Sequence, residues 1–319
     1  VTPRFGMSIP FPGPLDEQAR YFATLAEMGY TDLWSSETSG FDAFTPLALA
    51  ALTAPSVRLG SAIVPAFTRG PAVIAASVAA LASVAPGRVA IGIGSSSDVI
   101  VGRWNGIPFE TPLARVRDVV RFLRRALTGE KITESYQTFD IRGFRLTSVP
   151  EVQPKILVAG LREKMLRVAG EHSDGAILNW LSADDVRKVV PIVQDGGDDK
   201  EIVARIFVCP SEDTDLVRQK AKEFVTAYLN VPVYAKFQQW LGRTSLEPMW
   251  EHWRAGDRKA ALAAVPDEVV DELIVHGSPE ACRAHIQRYV DAGVDTPALA
   301  IMPWGVEPAE AARLLAPER

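Results

Sequence analysis

The residues best suited to chemistry lie where an apolar run stops abruptly at small polar side chains. Arg88-Val89-Ala90-Ile91-Gly92-Ile93 reads as a strand buried on both faces, and it leads straight into Gly94-Ser95-Ser96-Ser97. Bare backbone amides and hydroxyls at a strand end suit an anion, and parallel strands carry their ligands at their carboxyl ends. The first expectation is therefore a phosphate-bearing cofactor. The competing reading is an ordinary turn whose serines cap the next helix. A second candidate is Ser35-Ser36-Glu37-Thr38, where a lone carboxylate ends an apolar strand. Such a group either pairs with an arginine such as Arg69 or is placed against a ligand or a reacting proton.

Other chemistries find little support. His172, His252, His276 and His285 have no metal-ligand spacing, and there is no Gly-x-Ser-x-Gly elbow, so neither a metal site nor a hydrolase is expected. Cys209 and Cys282 stand far apart, which fits structural thiols in a reducing compartment. The net charge of −5 supplies no basic field for nucleic acid, which leaves a small molecule as the expected partner. No apolar stretch approaches the roughly 20 residues that span a bilayer, and no leader pattern opens the chain, so the expectation is a cytoplasmic protein with no membrane contact.

The elements that must position these groups alternate along the chain. Strands are expected at 4–9, 31–36, 57–64, 88–93, 155–159, 175–179, 202–209 and 298–302, with amphipathic helices between them. Two interruptions break the rhythm: a polar, threonine-rich excursion at about 130–154 with short hairpin strands, and a helical insertion at about 232–273 containing Trp240, Trp250 and Trp253. No composition break marks a linker. The pattern predicts one α/β domain over 1–319, a (β/α)8 TIM barrel with insertions. A doubly wound open sheet is the alternative, but Ser97 replaces the third glycine of a dinucleotide fingerprint, and the motif follows the fourth strand rather than the first.

Several segments carry a family resemblance. Asp32-Leu33-Trp34-Ser35-Ser36-Glu37, then Leu59-Gly60-Ser61-Ala62-Ile63-Val64-Pro65 with Arg69 and Pro71, then Gly87-Arg88 leading into Gly92-Ile93-Gly94, resemble the luciferase-like monooxygenase family. Lys155-Ile156-Leu157-Val158-Ala159-Gly160 and the run from Ala169 to Trp180 are similar to its deazaflavin-dependent branch, whose members use coenzyme F420.

The resemblance implies a flavin-like ring in the barrel mouth. Its phosphate would meet Gly94, Ser95, Ser96 and Ser97 together with the turn Ala159-Gly160-Leu161. Ser36, Glu37 and Asn179 would line the cofactor, and Ser61, Ala62 and Ile63 would back the ring, with a non-prolyl cis peptide expected at Ser61–Ala62. Arg103 is the arginine it would offer to the anionic polyglutamate tail. Glu37 and Thr38 are the candidates for catalysis, although Thr38 stands where some relatives carry histidine. Phe11, Phe41, Trp180, Trp240 and Trp304 are candidates for a substrate wall, against the plainer reading of tryptophans as core anchors. The implied activity is hydride transfer between C5 of F420 and a small organic substrate. An FMN-dependent monooxygenase or flavin reductase is the alternative, and a carrier or sensor of F420 or flavin is a reading of another class. A homodimer is the family expectation.

Overall fold

The computed structural model describes residues 4–317. The apolar runs become short parallel strands, each followed by a helix that covers its outer face. In chain order the first half comprises β1 (Gly6–Ser8), α1 (Leu15–Glu27), β2 (Asp32–Ser35), α2 (Phe44–Thr53), β3 (Arg58–Ser61), β4 (Val64–Pro65), α3 (Pro71–Val84), β5 (Val89–Gly94) and α4 (Pro112–Ala126). A hairpin of β6 (Ile132–Ser135) and β7 (Asp140–Phe144) follows, then β8 (Lys155–Ala159), α5 (Glu163–His172), β9 (Gly175–Leu178), α6 (Ala183–Gln194), β10 (Glu201–Cys209) and α7 (Thr214–Leu229). The insertion is α8 (Pro232–Leu241), α9 (Glu247–Arg254), α10 (Arg258–Ala263) and α11 (Asp267–Leu273), and the chain ends with β11 (Ile274–His276), α12 (Pro279–Asp291), β12 (Thr296–Ile301) and α13 (Pro308–Leu314).

The sheet runs β12-β1-β2-β3-β5-β8-β9-β10, and β10 pairs with β12 as well as β9, so the ring closes with every pairing parallel. That is the eight-stranded barrel the alternation predicts. Local signals place the helices: Pro71 begins α3, where its missing N–H costs nothing, and α6 opens on a reciprocal cap between Ser182 and Asp185. Among the described residues no helix is long and apolar enough to cross a membrane.

The structure departs from the sequence expectation in several places. The third strand is not continuous: a cis peptide at Ala62–Ile63, one residue later than expected, separates β3 from β4. A π-helical turn at Val99–Trp104 follows the serine run. α5 begins at Glu163, two residues beyond Leu161, and β12 covers 296–301 rather than 298–302. β11 was not foreseen at all; as the insertion returns it adds three residues to the carboxyl end of β10, with Phe207 beside Ile274 and Cys209 beside His276.

The barrel interior is layered. Trp34 fills its middle with Ala90, Leu157, Ile177, Val203 and Ala298. The strands beside it carry glycine because the indole lies against their backbones: a Cβ on Gly60 would run into the ring, and one on Gly6 would sit 2.9 Å from it. Below Trp34, at the amino ends of the strands, Arg58 pairs with Asp32 and with Glu201 (2.9 Å to Oε2). Arg4 also reaches Asp32, Lys155 reaches Glu201 at 2.8 Å, and the Thr296 hydroxyl donates to Glu201 at 3.2 Å. Burial by itself would raise the Glu201 carboxyl, but Arg58 and then Lys155 outweigh it and hold its pKa at about 2. Arg58 also lies 5.3 Å from the Trp34 ring centroid, so the charged layer and the aromatic layer are in contact.

Candidate active site

At the opposite end the strands open onto a mouth built largely from small residues. Where β3 stops, the fully buried Ser61 takes over its pairing with β5: its hydroxyl donates to the Gly92 carbonyl at 3.1 Å and accepts from the Gly92 N–H at 3.0 Å. The Ser61 hydroxyl is thus committed to the sheet. Gly92 is required here, because a Cβ would collide with the Ser61 carbonyl oxygen and with Ile177. The half-buried Ala62, Ile63 and Ala159 pack on top of the Trp34 layer, and a Cβ on Gly94 would stand 3.0 Å from Ile63 and 3.2 Å from Ala159. Ala62, Gly94 and Ala159 bring small residues to the break between β3 and β4, with the Ile63 side chain packed against Gly94.

The two turns expected to hold a phosphate end neighbouring strands, since β5 and β8 pair through Ile93 and Val158. Ser96 has φ of +62°, a left-handed conformation that turns the chain sharply. Ser97 acts as a cap: its hydroxyl accepts from the Ile100 N–H at 3.3 Å and its carbonyl from Val101 at 2.9 Å. The Ser95 hydroxyl donates to the Ser96 carbonyl at 3.3 Å, while the Ser96 hydroxyl makes no hydrogen bond among the described residues. Gly160 lets α5 approach, since a Cβ there would stand 2.9 Å from Leu166 Cδ2. Leu161 packs on the core, and no side chain caps the first turn of α5, where unpaired N–H groups and a positive dipole end favour an anion. Arg103 is exposed and lies 3.6 Å from Asp98.

Glu37 is engaged by protein groups. Arg69 pairs with its carboxylate at 2.8 Å, Thr68 donates to it at 3.3 Å, and the Ala43 N–H donates at 3.2 Å. Of the readings open from the sequence, the ion pair is present. It ties the segment after β2 to the segment after β4, and the Glu37 N–H reinforces this by donating to the Ile63 carbonyl at 3.2 Å. Ser36 is half-buried beside it, while Thr38 and Phe41 are exposed at the rim.

The expected aromatic wall divides. Trp180, fully buried with φ of +58°, packs against Phe207 (4.5 Å between centroids), Phe224 and Tyr228 (5.1 Å each), and Trp304 joins through Phe224 at 5.9 Å. Asn179 holds this turn by accepting the Trp180 N–H at 3.0 Å, and Gln238 of α8 donates to the Trp180 carbonyl at 2.7 Å. The other aromatics lie elsewhere. Trp240 stacks on Phe237 at 6.2 Å on the half-exposed side of α8, and Phe11 is buried in the main core against Tyr21. Sequence reasoning missed Arg205, Phe207, Tyr228 and Tyr234. An arginine amid the apolar run 202–209 was the available signal, since a buried strand has no plain use for one. Among the described residues no cluster of His, Cys, Asp and Glu is arranged to hold a metal ion.

A family model for luciferase-like monooxygenases matches residues 2–296. The chain belongs to that family. It is accordingly an oxidoreductase, and its relatives narrow the picture further. It is 26% identical to a 5,10-methylenetetrahydromethanopterin reductase of Methanolobus tindarius, with 98% of each chain covered. It is 28% identical to an F420-dependent glucose-6-phosphate dehydrogenase of Rhodococcus erythropolis, covering 78% of this chain and 76% of that one. The coenzyme F420-dependent tetrahydromethanopterin reductase of Methanopyrus kandleri has the same fold, with a TM-score of 0.82 over 99% of this luciferase-like chain and 98% of the other at 20% identity.

Proposed function

We propose that the protein is a coenzyme F420-dependent oxidoreductase acting on a small organic substrate. The observation that carries this reading is the nearly full-length similarity to an F420-utilising branch, joined to a mouth whose residues suit the cofactor. Ala62, Gly94 and Ala159, with Ile63 packed against Gly94, present a face of small residues beside the cis peptide that suits a flat ring. The free Ser96 hydroxyl and the uncapped start of α5, on neighbouring strand ends, accept a phosphate. When bound, F420 supplies C5 as hydride donor or acceptor. The protein binds and orients the two partners and keeps water from the reacting face, which is what a hydride transfer asks of it. Glu37, clamped by Arg69, fixes the distance between two rim segments and so positions Ile63 behind the ring.

The test is titration with F420 and with FMN, followed by fluorescence quenching. F420 should bind, and Ser96→Phe should weaken it about tenfold, roughly the 1.4 kcal/mol of one good charge-assisted hydrogen bond. Tight FMN binding with no response to F420 would move the protein to the FMN-dependent side of the family.

A further inference from the structure

The mouth contains a cation that has no counter-charge among the described residues. Along β10, Ile202, Ala204, Ile206 and Val208 pack outward into the main core, whereas Val203 belongs to the barrel interior and Phe207 to the cluster formed with α7 and the insertion helices. Arg205 lies between these two and therefore points inward as well. It stands one side-chain step, about 7 Å, above Val203 and the Trp34 layer, which places it at the mouth. Its Cζ lies 4.9 Å from the Phe207 ring centroid, and the phenols of Tyr228 and Tyr234 are near enough to act on its charge. Among the described residues no hydrogen bond or ion pair engages its guanidinium.

The other half-buried or buried arginines among the described residues are engaged: Arg58 has Asp32 and Glu201, Arg69 has Glu37, Arg243 has Asp185 at 2.5 Å, and Arg88 and Arg115 donate to backbone carbonyls. A guanidinium stays protonated even where burial disfavours its charge. The Phe207 face offsets part of that cost but satisfies none of the five N–H donors.

We infer that Arg205 anchors a carboxylate of the substrate, with the Tyr228 and Tyr234 hydroxyls as further donors and the half-exposed rings of Trp304 and Tyr228, backed by the buried Trp180 and Phe207, taking an apolar or aromatic body. The substrate class is a small organic acid. One planar fork matches one carboxylate, whereas a phosphate dianion facing a single cation would remain half neutralised. Tyr234, whose hydroxyl burial pushes up to about 12, stays a donor at neutral pH. That the acid is a substrate rests on the hydride-transfer reading; that it binds at Arg205 does not.

The experiment uses the full chain, alone and saturated with F420, and compares phenylacetate with its uncharged counterpart phenylacetamide. Calorimetry measures affinity, and tryptophan fluorescence provides a second readout because Trp304 borders the site and Trp180 packs behind it. Phenylacetate should bind at least tenfold more tightly than the amide. Arg205→Met should bring the two to parity, Arg205→Lys should keep part of the preference, and both should leave F420 affinity within twofold. Equal affinity in the unmodified protein, no binding of either ligand, or a preference that survives Arg205→Met would overturn the inference. So would a tenfold loss of F420 affinity in either variant, which would assign Arg205 to the cofactor, or displacement of phenylacetate by equimolar inorganic phosphate. The comparison in the unmodified protein decides the matter even if Arg205→Met does not fold. A carboxylate preference dependent on Arg205 in a protein that ignores F420 would support the anion site while removing the cofactor reading.

Discussion

Arg58 and Arg205 both point into the same closed barrel, and their surroundings differ in kind. At the amino ends of the strands Arg58 is pressed between Asp32 and Glu201, with Arg4, Lys155 and Thr296 completing the network and Trp34 covering it. At the carboxyl ends Arg205 meets an aromatic face and two tyrosines and, among the described residues, no carboxylate. The lower end closes its charges upon themselves and so serves stability. The upper end leaves a charge, a serine hydroxyl and a helix start open, which is the condition of a surface waiting for a ligand.

This contrast can be broken most forcefully at Arg58. Arg58→Met strands two buried carboxylates and should cost about 3–5 kcal/mol in chemical denaturation, whereas Arg205→Met removes an uncompensated charge and should leave stability unchanged or raise it by up to about 1 kcal/mol. Similar losses in the two variants would abolish the distinction between the ends. Acid should act on the lower end in a defined window. The Glu201 carboxyl lies below its ordinary value of 4.5, so its contribution is complete above about pH 4.5 and is lost as pH falls toward about 2. The depression amounts to about 3 kcal/mol across that window. Unfolding midpoints measured from pH 6 to pH 2 should fall steeply for the native chain and more gently for Glu201→Gln. Gly60→Ala probes the layer between the two ends: the added methyl meets the Trp34 ring and should destabilise by about 1–3 kcal/mol with little effect on ligand affinity, readable from paired melting and titration data. The smallest effect belongs to the rim. Arg69→Met should cost about 1 kcal/mol globally, because the pair with Glu37 is partly solvated, yet should speed amide exchange at Ile63 and at Glu37 itself.

Much of this architecture was legible from the residues. The barrel strands announce themselves because burial on both faces demands uninterrupted apolar runs, and Pro71 marks the start of its helix. The Glu37–Arg69 pair was one of three readings open for that carboxylate, and Trp180 proved to be a buried anchor rather than a bare pocket wall. Other features were hidden for identifiable reasons. β11 is three residues long and exists only because the end of β10 offers it a partner. Ser61 is expected behind the ring, but nothing local reveals that Gly92, 31 residues away, uses both the lone pair and the proton of its hydroxyl. Trp240 looks no different in sequence from Trp180; only the face of α8 on which it falls removes it from the mouth.

The sequence by itself determined the alternation of strand and helix, the small residues at the carboxyl ends and the supply of charges, since these follow from periodicity and from side-chain chemistry within a few residues. Tertiary structure decided which charges were matched. Arg58 and Glu201 are 143 positions apart and meet only because closure of the ring brings β3, β10 and β12 around one axis, while the same register raises Arg205 above every carboxylate of that network. A charge inside a barrel is neutralised according to its height along the strand, and height is a property of the closed sheet.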